Sequence, residues 1–270
     1  MNDAPIGIFD SGIGGLTVAH AIHRLLPSES TLYLGDTARV PYGPKSPETV
    51  RRYAREILAW LLERGVKAVV VACNTATAHA LDVLQATAPV PVIGVIAPGA
   101  RAAVAAAHGG AVGVIGTQGT IGSGAYRRAL LEQRPELRVL EQPCPLFVPL
   151  VEEGWFAHPA TRLVAEEYLA PMRAAGLDAL VLGCTHYPLL KPLLGEVMGP
   201  GVALIDSAQE TAHELASVLE RSGLARHDGR GVHRYAATDD VARFAKVGAV
   251  FVGEPLGDVE LAELVPVSDS

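Results

Sequence analysis

Lysine is nearly missing from this chain, aromatic residues make up only 5% of it, and no basic stripe, membrane-length apolar run or paired-cysteine motif occurs. Each absence removes a class of function. The 22 Lys and Arg residues are outnumbered by 29 Asp and Glu, for a net charge of −7, and that balance argues against a nucleic-acid partner, which needs clustered cations for phosphates. The most apolar region, Val90 to Ile115, is interrupted by Pro91, Pro98 and Arg101, so no segment reaches the ~20 uninterrupted apolar residues of a membrane span, and no membrane partner is expected. The first basic residue is Arg24, which leaves the N-terminus without the charged region of a signal peptide and predicts a cytoplasmic protein.

Three cysteines, Cys73, Cys144 and Cys184, cannot all pair within one chain and are expected to be free thiols in a reducing compartment. Other chemistries lack their residues. Neither a G-x-S-x-G nucleophile elbow nor a Walker lysine motif is present. His213-Glu214-Leu215 begins like a zinc-protease motif, but position 217 is serine, so this reads as an exposed helix face and no metal site is expected. A pyridoxal phosphate enzyme needs a Schiff-base lysine, and of Lys45, Lys67, Lys191 and Lys246 only Lys45 stands near the loops discussed below.

What is present is 270 residues with 49% hydrophobic side chains, enough for one large domain or two smaller ones. Short β-branched runs alternate with longer amphipathic or Ala-rich stretches, the pattern of βαβ units around buried parallel sheets. Strands are predicted at Ile6–Phe9, Thr31–Leu34, Ala68–Ala72 and Val92–Ile96, then at Val112–Ile115, Arg138–Leu140, Ala179–Leu182 and Val202–Ile205. Two more are predicted at Val232–Ala236 and Ala249–Val252. Helices at Pro47–Arg64 and Thr161–Ala175 are each closed by a glycine, Gly65 and Gly176.

Sliding the chain by 184 − 73 = 111 positions lays Arg64-Gly65 through Cys73 on Ala175-Gly176 through Cys184, so that helix end, strand and cysteine coincide. The expected fold is therefore α/β, with two pseudo-symmetric lobes, each built on a mainly parallel sheet flanked by helices, and a ligand cleft between them. The Ala-rich helices beginning near Pro98 and Ser207 are expected to cross between lobes. That places one lobe at 1–97 plus 207–270, and the other at 98–206.

In open parallel sheets ligands bind beyond the carboxyl ends of the strands. After the first strand comes Asp10-Ser11-Gly12-Ile13-Gly14-Gly15, which lacks the third glycine of a dinucleotide fingerprint and reads better as a turn holding a small anion at a helix N-terminus. After the third strand of each half comes a cysteine, in Cys73-Asn74-Thr75 and in Cys184-Thr185-His186. One cysteine ending an apolar strand is ordinary core filler. Two in equivalent positions, each at an expected helix start that lowers a thiol pKa, and one followed by His186, point to chemistry. Two lobes then set one thiol on each face of a ligand. That suits inversion by two bases, with each sulfur about 3–3.5 Å from its target and a sulfur separation on the order of 7 Å.

Four segments carry a resemblance to a known family: Phe9-Asp10-Ser11-Gly12-Ile13-Gly14-Gly15-Leu16, Asp36-Thr37-Ala38-Arg39-Val40-Pro41-Tyr42-Gly43, Val71-Ala72-Cys73-Asn74-Thr75-Ala76-Thr77-Ala78 and Leu182-Gly183-Cys184-Thr185-His186-Tyr187-Pro188. With Gly116-Thr117 and Val151-Glu152-Glu153-Gly154 they span both halves, and the chain resembles the glutamate racemases of the cofactor-independent aspartate/glutamate racemase superfamily.

The resemblance implies that Cys73 works on D-glutamate and Cys184 on L-glutamate, with Asp10, His186 and Glu152 (or its neighbour Glu153) as helpers. Ser11, Tyr42, Gly43, Asn74, Thr75 and Thr185 are implied to grip the substrate, and Thr117 and Thr120 to assist, although Thr120 also reads as a simple cap. Asp36 reads as a structural loop carboxylate and Cys144 as inert. The resemblance further implies no cofactor, a role in peptidoglycan synthesis, and a homodimer. Related alternatives are an aspartate racemase, typically with Glu where His186 stands, and a decarboxylase lacking one of the cysteines. A non-catalytic dicarboxylate-binding protein would need no paired thiols.

Overall fold

The computed structural model describes residues 3–267, and the ends of the range assigned to the first lobe, 1–2 and 268–270, lie outside the described residues. Two parallel sheets organise the chain. The first contains β1 (Ile6–Asp10), β2 (Thr31–Gly35), β3 (Ala68–Val71), β4 (Val92–Gly94), β9 (His233–Ala237) and β10 (Val259–Leu261), in the order β10-β9-β2-β1-β3-β4. The second contains β5 (Ala111–Gly116), β6 (Arg138–Pro143), β7 (Leu177–Gly183) and β8 (Ala203–Ile205), in the order β6-β5-β7-β8. Every pairing in both is parallel.

The inner order β2-β1-β3-β4 of the first sheet is the order β6-β5-β7-β8 of the second, so the repeat in the sequence is a repeat of topology. The 111-residue shift carries Ala68–Val71 onto Ala179–Leu182, inside β7. It also carries Gly65 (φ +69) onto Gly176 (φ +66), two left-handed positions that end helices and favour glycine because it has no Cβ.

Helices form where caps and periodicity agree. α2 (Pro47–Glu63) starts with Ser46, whose hydroxyl accepts from the Thr49 amide, and Pro47 sits in its first turn. α8 (Pro159–Ala174) covers one face of the second lobe. α4 (Ile96–Ala106), after β4, packs against α6 (Ala125–Gln133) and β7 of the second lobe, while α10 (Ala208–Arg221), after β8, packs against α1 (Leu16–Leu25) of the first. The chain thus crosses between the lobes at both helices. The largest apolar cluster does the same, running from Ile8, Leu16 and Ile22 to Phe147, Tyr187 and Leu215. Behind α10, a buried ion pair between Lys67 and Glu29 anchors the returning chain, since Lys67 Nζ donates to the Leu224 carbonyl and the Arg226 amide donates to Glu29.

Two expectations fail locally. Ala249–Val252 is not a strand but the end of α11 (Val241–Val252), whose buried Phe244, Gly248, Phe251 and Val252 share one helical face. The helix is set upstream, where Asp240 accepts from the Arg243 amide, and a four-residue apolar run carries no signal of its own to tell strand from helix. The last strand is β10, too short for a pattern to show. The strand predicted to Ile96 stops at Gly94, and Ile96 already begins α4, so Pro98 lies inside the first turn.

Candidate active site

In each sheet the chain leaves the first strand toward one side and returns on the other, so a crevice opens between the carboxyl ends of β1 and β3, and of β5 and β7. Asp10 ends β1 and Cys73 lies two residues beyond β3; Gly116 ends β5 and Cys184 directly follows β7. The two crevices face each other, because Thr185 Oγ1 of one lobe donates to Asp10 Oδ1 of the other at 3.4 Å.

Cys73 caps α3 (Asn74–Thr87), its sulfur accepting from the Ala76 amide at 3.4 Å and lying 3.7 Å from Ser11 Oγ. The expected fall in its pKa does not occur. Burial, with the Asp10 carboxylate adding to it, pushes the thiol up to about 12, and the bonds from Ala76 and Ser11 offset this only in part. Cys184 does not start a helix at all. A 3-10 turn begins at Tyr187 and α9 (Lys191–Met198) only after it, so the helix-terminus argument fails there, and His186 is the charged neighbour instead.

His186 Nδ1 lies 3.9 Å from Cys184 Sγ, and Nε2 lies 3.1 Å from Glu152 Oε1. Burial opposes the charged imidazole, yet the bonds to Cys184 and Glu152 and the nearby Asp10 carboxylate raise its pKa to about 10. Glu152 is held below the usual carboxylate range by that same bond. Of the two adjacent glutamates it is Glu152, on α7 (Phe147–Glu152), that reaches the histidine. Phe251 of α11 packs edge-on against the His186 ring at 5.5 Å.

The Gly-rich turn holds an anion, but the anion is the chain's own. Gly12 donates its amide to Asp10 Oδ2 at 3.0 Å, and the Gly15 and Ser11 amides also bond this carboxylate. Burial still raises the Asp10 pKa, against the pull of His186. The glycines serve close approach as well. A Cβ on Gly14 would stand 2.3 Å from Thr185 Oγ1 and 2.5 Å from His186 Nδ1.

Three hydroxyls close the other end of the cleft. Thr75 Oγ1 lies 2.8 Å from Thr117 Oγ1 and 3.1 Å from Thr120 Oγ1, and the last two are 3.1 Å apart. Thr117 also caps α5 (Gln118–Gly122). Gly43 joins this end through its carbonyl, which accepts from the Gly119 amide at 2.8 Å.

Tyr42 does not turn its side chain to the cleft. It is buried, and its hydroxyl donates to Asp36, which also accepts from Arg39 Nε at 2.7 Å and Thr238 Oγ1 at 2.9 Å. Asp36 is the anchor of the Pro-Tyr-Gly loop, and Tyr42 can offer the cleft only its backbone. Cys144 is buried with its sulfur 3.6 Å from the Gln142 carbonyl. All three thiols are free.

Sequence reading missed the residues that act through others: Arg39, Glu56 and Thr238 behind Asp36, and Tyr126 behind Asn74. No motif marks them. Arg39 lies three residues from Asp36, but Glu56 and Thr238 come near it only through the fold of the first lobe, and Tyr126 reaches Asn74 only across the lobes.

Two buried thiols at equivalent places of two similar lobes thus face one cleft, and known proteins match the chain and its fold. The family model for Asp/Glu/hydantoin racemases covers residues 9–215. A glutamate racemase of Geobacter metallireducens is 55% identical over 255 residues, 94% of each chain. Among solved structures, a glutamate racemase of Bacillus anthracis superposes with a TM-score of 0.95 at 41% identity, covering 99% of this chain and 100% of that one. One from Francisella tularensis, solved with D-glutamate, gives 0.91 at 37% identity, covering 97% and 98%. The chain belongs to the Asp/Glu/hydantoin racemase family, and within it to the glutamate racemases.

Proposed function

We propose that this enzyme interconverts L- and D-glutamate with Cys73 and Cys184 as its two bases and no cofactor. The observation that carries the reading is the pair of buried free thiols in topologically equivalent places, each with its own acid–base partner. Asp10 stands with Cys73, and the His186–Glu152 pair with Cys184. With L-glutamate, Cys184 takes the α-proton from one face and the Cys73 thiol delivers its proton to the other. One C–H bond breaks and one forms, and the turnover leaves Cys184 as the thiol holding the substrate's proton and Cys73 as the thiolate. D-glutamate reverses the roles. The imidazolium of His186 balances negative charge when Cys184 acts as base, and the high pKa of Cys73 keeps the proton that is then delivered to the other face.

Asn74, Thr75, Thr117, Thr185 and Ser11 supply the donors for the substrate's carboxylates, with the backbone at Gly43 and Tyr42; Thr120 supports the other two threonines. Product D-glutamate feeds peptidoglycan synthesis in this reading, in the cytoplasm and from a homodimer. No helix among the described residues is long and apolar enough to cross a membrane.

The test is circular dichroism of L-glutamate and, separately, L-aspartate incubated with enzyme. The signal is expected to decay for glutamate only, equally with and without hydroxylamine; decay for aspartate alone overturns the substrate, and hydroxylamine inhibition overturns the cofactor-free route. Cys73→Ala and Cys184→Ala are each expected to lower turnover by about a thousandfold or more. Parental rates in either variant exclude a two-base mechanism.

A further inference from the structure

Tyr126 is fully buried on α6 of the second lobe, yet its hydroxyl reaches across to the first and donates to Asn74 Oδ1 at 2.7 Å. Asn74 is itself buried and stands directly after Cys73 as the first residue of α3. The phenol has a further partner in Ser207, at the start of α10 where the chain crosses between lobes. The lobes are joined through the Tyr126–Asn74 hydrogen bond, with Ser207 and the phenol both beside Gly99.

The bond to Asn74 has a direction. The phenol donates to Oδ1, and the amide group of Asn74 is left with its Nδ2 hydrogens turned away from Tyr126. No group among the described residues accepts from Nδ2. Without the Tyr126 donor on Oδ1 nothing would set the amide's orientation, and a flipped amide presents an oxygen where a carboxylate must bind. The ring has no freedom to leave. A Cβ on Gly183, next to Cys184, would lie 3.0 Å from Tyr126 Cε2, and one on Gly99 would lie 3.3 Å from its hydroxyl.

We propose that Tyr126 is a positioning residue that fixes the Asn74 amide with its N–H donors toward a substrate carboxylate, and that it does so from the opposite lobe, so the donor is aligned only when the lobes are together. This rests on the reading of Asn74 as a substrate-binding residue.

The experiment is a double-mutant cycle on steady-state racemisation with Tyr126→Phe, Asn74→Ala and both together, following KM and kcat separately. Phenylalanine keeps the ring and removes only the hydroxyl. Tyr126→Phe is expected to raise KM for glutamate about tenfold, the size of one lost neutral hydrogen bond, with kcat changed less than twofold. In the Asn74→Ala background the same change is expected to do nothing. Ser207→Ala, which removes only a neighbour of the phenol, is expected to raise KM less than Tyr126→Phe does. An unchanged KM in Tyr126→Phe, or an equal effect with and without Asn74, overturns the inference and leaves Tyr126 a packing residue. If Asn74→Ala itself leaves KM unchanged, the substrate-binding reading of Asn74 fails, and that outcome is distinct from failure of the Tyr126 link alone.

Discussion

At Cys73 the proposed two-base route meets two demands that conflict: a base must lose its proton, yet this thiol is buried beside the Asp10 carboxylate and its pKa is pushed up to about 12. In that proposal the conflict is resolved by pairing. Cys73 would rest as the acid, while the imidazolium of His186 stands beside Cys184. The raised pKa has a sign that stability measurements can read. The folded chain holds the Cys73 proton up to about pH 12, whereas the unfolded thiol releases it near 9, so this contribution is complete below pH 9 and is lost as pH rises toward 12. Cys73→Ser removes the titration. Between pH 9 and 10.5, denaturant unfolding is expected to show the parent losing about 2 kcal/mol more than the variant. Equal losses would mean that the folded thiol titrates normally. The position of this residue was readable from the repeat, but its pKa was not: an N-terminal helix amide favours the thiolate, and only burial in three dimensions decides that the amide is outweighed.

Among the elements, α1 carries the Gly-rich turn into the first lobe, and its far end is tied down by an unusual contact. His23 of α1 stacks on His233 of β9 with ring centroids 3.5 Å apart, and Thr31 of β2 bridges them, 2.9 Å from His23 Nε2 and 3.0 Å from His233 Nδ1. Burial, then the neighbouring His233 and His20, lower the His23 pKa to about 3. A depressed histidine is neutral in the folded chain while the unfolded one takes up a proton, so its stabilisation holds above pH 6.5 and drains away as pH falls toward 3. His23→Gln is expected to flatten the fall of Tm across that interval, and an unchanged slope would show that the pair does not link α1 to the sheet. Elements of this lobe were legible in proportion to their length and caps. α2, with Ser46, Pro47 and Gly65, could be placed within a residue or two. α11 could not, because its decisive cap at Asp240, in the left-handed region at φ 36, lies nine residues before the apolar run that suggested a strand.

The whole molecule works only if its two lobes meet to within a van der Waals contact, and this is where sequence reading ran out. The repeat located both cysteines and both crevices, since each is a property of one βαβ unit. It said nothing of how the crevices face each other, which depends on small residues at the seam. Gly119 is the clearest. A Cβ there would stand 2.8 Å from the Gly43 carbonyl, the group its own amide bonds, and 3.0 Å from Thr75 Cγ2. Backbone on one side leaves little room to adjust, so Gly119→Ala must push the threonine triad of Thr75, Thr117 and Thr120 apart. It touches neither sulfur and neither sheet core, and an added methyl in a short helix favours that helix over glycine. The backbone clash outweighs that gain, and stability is expected to fall by about 1–3 kcal/mol. The rate is expected to suffer, with kcat/KM for glutamate down tenfold or more, because a seam held open by even 1 Å misplaces both the carboxylate donors and the opposing thiols. Gly14→Ala, whose Cβ would collide with His186 and Thr185, is expected to cost more, since it displaces the charged partner of Cys184 as well. Parental kinetics in Gly119→Ala would show that the lobes need not close at this edge for turnover, and the alignment of Asn74 from across the cleft would then have to be achieved by Tyr126 alone.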